Sequence, residues 1–111
     1  MKEVLWDSAV RKQLKELSFL LVNNGYFGSM EYATAYIDEI IDHFSSPTAF
    51  VTSKKAPAYF NKYGDNIYYA IYHRNNRLSW YAFYEENETS FIIRLIANNY
   101  AIGHHLTDVL N

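Results

Sequence analysis

The chain contains no cysteine, only two prolines and four glycines, and no apolar run near the length of a membrane span. Without cysteine there is no disulfide framework, no thiolate metal site and no cysteine nucleophile, which fits a reducing compartment. A bilayer crossing needs about 20 consecutive apolar residues. Charged Asp7 also comes too early for the apolar region of a signal peptide. A soluble, cytoplasmic protein is therefore expected. So little Pro and Gly, in a chain that is 50% hydrophobic and 18% aromatic, excludes disorder over most of the length.

The 111 residues suit a single domain, with a core over about residues 3–100 and a tail at 101–111. Surface scaling for a chain of this size buries about two-thirds of the extended chain's area. The formal net charge of −2 argues against a strongly basic nucleic-acid binder. That average conceals a polarity. Residues 30–47 carry Glu31, Asp38, Glu39 and Asp42 and no Lys or Arg. Residues 48–84 carry Lys54, Lys55, Lys62, Arg74 and Arg77 against Asp65 alone, a local excess that attracts an anionic partner or simply solvates a surface.

Val4-Leu5-Trp6 reads as a short strand, after which Asp7 or Ser8 offers a side-chain oxygen to the orphan amides of a helix start. Val10, Leu14, Leu17, Leu20 and Leu21 recur at spacings of three and four, predicting one apolar stripe that Asn23-Asn24-Gly25 ends. Ser29 caps a second predicted helix with the stripe Ala33, Tyr36, Ile37, Ile40, Ile41 and Phe44. Ser45-Ser46-Pro47 stops it, because proline cannot continue the helical ladder and disfavours helix before itself. A link of about five residues makes the two helices an antiparallel hairpin.

Residues 48–65 show no period and read as a loop. Strand chemistry follows in Asn66–Arg74, Leu78–Tyr84 and Ser90–Asn98. Asn75-Asn76 marks the first turn, since Asn tolerates positive φ, and Glu86-Asn87-Glu88 the second. The predicted order is β-α-α-β-β-β. This is an α+β fold, an antiparallel meander covered on one face by a helical hairpin. Alternation in the last strand sends Phe91, Ile93, Leu95 and Ala97 to the core. Ile92, Arg94, Ile96 and Asn98 take the other face, expected open or only partly covered because an arginine buried in mid-sheet without a partner is costly.

Nothing resembles a P-loop, a GxGxxG turn, an HExxH helix or a serine triad, so no cofactor or metal is implied. His43 falls late in the second helix, where a cation complements the dipole, and His73 alternates with strand residues; both read as structural. His104 and His105 titrate near neutral pH and are acid or base candidates, though adjacent residues point apart and do not make a metal-ligand spacing.

Several runs resemble the RelE/ParE superfamily of small bacterial toxins. They are Val4-Leu5-Trp6-Asp7 before an amphipathic helix, Ala33-Thr34-Ala35-Tyr36-Ile37 with Ile40-Ile41 leading to Pro47, Arg77-Leu78-Ser79-Trp80-Tyr81-Ala82-Phe83-Tyr84, and Phe91-Ile92-Ile93-Arg94-Leu95-Ile96-Ala97-Asn98-Asn99. The resemblance spans about residues 3–100 and implies the toxin of a type II toxin–antitoxin pair, held inactive by a cognate antitoxin. One branch binds the ribosome and cleaves mRNA without a metal, positioning the ribose 2′-hydroxyl and stabilising phosphate charge. The other poisons DNA gyrase and lacks the nuclease set. The ribosome-directed branch is the leading expectation, the gyrase-directed branch the alternative, and a third reading keeps the fold as a non-toxic protein-binding module.

For the ribonuclease branch the resemblance implies phosphate or RNA contact by Lys54, Lys55, Arg74 and Arg77 and catalytic roles for Arg94 and Tyr100, with His104 or His105, in a tail the family does not require, as the accompanying acid or base candidates. The chain departs from the family pattern in two respects. Its overall charge is not basic, and Asn98-Asn99 stands where Arg or His is expected.

Overall fold

The computed structural model describes residues 2–25 and 28–102. Its elements are β1 (Glu3–Trp6), α1 (Ser8–Asn23), α2 (Met30–Ser45), a 3-10 turn at Pro47–Phe50, β2 (Lys54–Lys55), a second 3-10 turn at Ala58–Tyr63, β3 (Tyr68–His73), β4 (Ser79–Glu86) and β5 (Ser90–Asn98). No helix among them is long and apolar enough to cross a membrane.

Local chemistry accounts for most of the boundaries. The Asp7 carboxylate accepts the Ala9 amide at 2.9 Å and the Ser29 hydroxyl accepts that of Tyr32 at 3.3 Å, so each helix start has a side-chain cap. Ser46 is extended (φ −88°, ψ 127°) before Pro47, and α2 stops there. Both hairpin turns are ordered by an asparagine side chain. Asn75 Oδ1 accepts the amides of Arg77 and Leu78 at 2.9 Å, and Asn87 Oδ1 accepts those of Thr89 at 2.9 Å and Ser90 at 2.8 Å. Positive φ at Asn75-Asn76, expected from the sequence, is not used.

The α+β class holds, but the sheet is not the expected antiparallel meander. It has five strands in the order β1-β5-β4-β3-β2, with β1 parallel to β5 and the other pairs antiparallel. The helical hairpin and the remaining strands together form the long crossover that a parallel pair requires. The segment expected to be loop supplies edge strand β2 and both 3-10 turns.

The face assignment of β5 is also corrected. Phe83 pairs with Leu95 while Tyr84 pairs with Ile93, which leaves Arg94 as an extra, unopposed residue. A bulge of this kind reverses the alternation beyond it. Phe91 and Ile93 therefore face the helices, as does Ile96, whereas Leu95 and Ala97 join the opposite side.

Two cores result. On the helix side Val10, Leu14, Ile37, Ile40, Phe44, Trp80, Ile93 and Ile96 pack together. On the other side Phe60 of the second 3-10 turn stacks on Phe83 at 4.1 Å, joined by Ala56, Ile67, Tyr69 and Ile102. The face expected to be open is thus covered over this stretch by the turn and by the chain beyond β5.

Candidate functional site

The bulge determines what Arg94 can do. Freed from strand pairing, its guanidinium donates from Nη1 to Asp7 at 2.7 Å and from Nε to Glu85 at 3.3 Å. Asp7 is also the α1 cap, so one carboxylate ties the helix start to the middle of β5. The Ala9 amide and then Arg94 hold the Asp7 carboxyl below the usual carboxylate range, and the Asp7 hydrogen bond raises the Arg94 pKa. Two carboxylates flank the one cation, so the partly exposed Arg94 is already engaged by the fold's own acids. Glu85 is itself confined by Gly64, where φ is +151° and a Cβ would fall 1.7 Å from Glu85 Oε1. Only glycine fits both the backbone angle and the carboxylate.

At the end of the sheet where β4 begins and β5 stops, the structure brings together a different set. Trp80 donates its indole N–H to the Tyr36 hydroxyl at 2.9 Å, and their rings meet edge-on at 6.2 Å. Arg74 lies over the Tyr36 ring at 5.2 Å and pairs through Nε with Glu39 at 2.5 Å; Glu39 also accepts the Tyr72 hydroxyl at 2.9 Å. These contacts follow from α2 periodicity, since Tyr36, Glu39 and His43 lie along one flank of the helix facing β3 and β4. His43 stacks on Tyr72 at 4.3 Å. Burial pushes the Tyr36 and Tyr72 phenols up, so neither is a base at neutral pH.

Beside this cluster lies an apolar trough of about 590 Å³, lined by Leu17, Leu21, Tyr36, Leu78, Trp80, Asn98 and Tyr100. Tyr100 is 71% exposed and stands at its rim. Asn99 ties the β3–β4 turn to this end, accepting the Ser79 amide at 2.9 Å and donating to the Arg77 carbonyl at 3.1 Å. Asn98, expected on the open face, lines the trough on the helix side because of the bulge.

The predicted residues therefore divide into three places. Arg74, Arg77 and Tyr100 gather at the trough end. Arg94 sits mid-strand within its carboxylate pair, while Lys54 and Lys55 are exposed on edge strand β2, paired with Tyr69 and Tyr68. His104 and His105 lie outside the described residues. His73 is exposed at the end of β3, its Nδ1 2.8 Å from the Ser79 hydroxyl. Among the described residues no group of three or more His, Asp or Glu is placed to hold a metal ion. Sequence reasoning missed Glu39, Glu85 and Asp7 as partners of the arginines. The only signal available was the i, i+3 spacing of Tyr36 and Glu39, which places both on one side of α2. No protein-family model, curated protein or solved structure matches the chain.

Proposed function

We propose that the chain is a RelE/ParE-like toxin component that acts by binding another protein, the gyrase-directed branch being the nearest reading, and that a cognate antitoxin polypeptide restrains it. One observation carries this choice over RNA cleavage. The cations a nuclease would need are already engaged, Arg94 by Asp7 and Glu85 in mid-strand and Arg74 by Glu39 at the trough end, where the concavity is apolar. An apolar trough rimmed by Tyr100 suits an aromatic or aliphatic side chain of a protein partner better than a phosphate.

The test is induced expression in a bacterial host. Growth arrest with a DNA-damage response and intact mRNA supports the proposal, as does relief of that arrest by Tyr100→Glu. Ribosome-dependent mRNA cleavage overturns it in favour of the nuclease, which the exposed pair Lys54 and Lys55 favours. Unimpaired growth overturns it in favour of the non-toxic binding module.

A further inference from the structure

The outer side of the helical hairpin, away from the trough, carries a second concavity. Between α1 and α2 runs a groove of about 620 Å³ floored by Leu14, Ile37 and Ile41, with Phe19 half-exposed beside it. Its rims carry opposite charge. Arg11 and Lys15, one turn apart on α1, form one rim; Asp38 and Asp42, one turn apart on α2, continue the other. All four are exposed, and among the described residues none has an ion-pair partner within 4.0 Å. Exposed charges flanking apolar surface are ordinary. A groove whose unpaired rims have opposite sign complements itself.

We infer that this groove is a homodimer interface in which α1 of one copy lies against α2 of a second copy, about a two-fold axis running along the groove. The charge pattern selects this axis. A two-fold along the groove keeps each residue at its height and exchanges the rims. The helices are antiparallel, so Lys15, near the middle of α1, stands level with Asp38, near the middle of α2. Rotation then sets Lys15 of each copy against Asp38 of the other, and Arg11 toward Asp42. The two-fold across the groove would instead stack α1 on α1, with like charges opposed. Under the chosen axis the packed helices also run antiparallel, so their dipoles oppose favourably.

Size sets the strength. Each helix has 16 residues, about 24 Å, and two helices about 10 Å apart present a face of roughly 480 Å². A standard interface buries about 800 Å² per partner. The dimer is therefore weak and concentration-dependent.

Sedimentation velocity on the full chain, from about 1 to 200 µM and at two salt concentrations, tests this. Wild type is expected to shift from monomer to dimer, more weakly at high salt. Lys15→Asp and Asp38→Lys should each weaken dimerisation about tenfold, and the chain carrying both changes should return to within about threefold of wild type. Circular dichroism of each variant separates lost association from lost fold. A monomer throughout the range overturns the proposal. So does a dimer indifferent to either reversal, or a double variant weaker than both singles. Because the chain has no cysteine, mixing Lys15→Cys and Asp38→Cys chains provides an independent reading. A disulfide between unlike chains supports the interface, and only like-with-like crosslinks overturn it.

Discussion

The two faces of the sheet are stabilised by different means. On the helix side, sixteen-residue helices present aliphatic residues at regular spacing, and the core is continuous from Val10 to Ile96. On the opposite side a six-residue 3-10 turn sets Phe60 on Phe83, with Tyr69 and Tyr81 rings nearby. The first face draws on the long-range packing of two capped elements. The second depends on one aromatic anchor in a short 3-10 segment, so its stability is local and breaks locally.

The sharpest test compares the two anchors, both fully buried. Phe44→Ala should cost about 4 kcal/mol and lower global stability in urea titration. Phe60→Ala should cost about 3 kcal/mol, with hydrogen exchange rising first in residues 56–70 while the helices stay protected. Equal loss of protection on both faces in both variants would erase the distinction. Next comes Gly64→Ala, expected to cost about 2 kcal/mol because the backbone angle and the Glu85 carboxylate both exclude a Cβ. Adding Glu85→Ala should recover part of that loss, leaving the backbone strain.

Smaller still is Arg94→Ala, which leaves Asp7 and Glu85 facing each other across the bulge. Its loss in thermal melts at neutral pH should fall below that of Gly64→Ala. Acid titration refines this. Asp7 has a lowered carboxyl pKa in the fold, so its contribution is complete above the ordinary value of 3.8 and vanishes as pH falls through the folded value. The Arg94→Ala protein should show a shallower decline there than wild type. The smallest effect concerns His43, whose pKa burial lowers from 6.5. Its neutral form is the one the fold accepts, so stability is full above pH 6.5 and declines below it. His43→Phe should flatten the decline below pH 6.5.

The sequence was most readable where one residue type serves one local need. Asp7, Ser29 and Pro47 marked helix ends that the structure reproduces, and the three long strands were found with turns at Asn75 and Asn87. It was least readable in residues 48–65, where β2 has two residues and Phe60 is buried by a partner in β4, distant along the chain. Arg94 was misread for a similar reason. Strict alternation placed it on an open face, and a bulge with no turn or glycine signal of its own placed it between two acids. The trough was legible only in pieces: Tyr36, Trp80 and Tyr100 could each be named, but not their convergence.

Local hydrophobic period and capping chemistry are short-range properties, so the residue order alone decided the two helices, the central hairpins and the α+β class. Parallel pairing of β1 with β5, closure of the second face by Phe60 and the pairing of Arg94 with Asp7 each join residues far apart along the chain. Such contacts form only once the whole chain has wound back on itself. The tertiary structure therefore decided which cations are engaged and which concavities are apolar, and those two features are what the functional reading rests on.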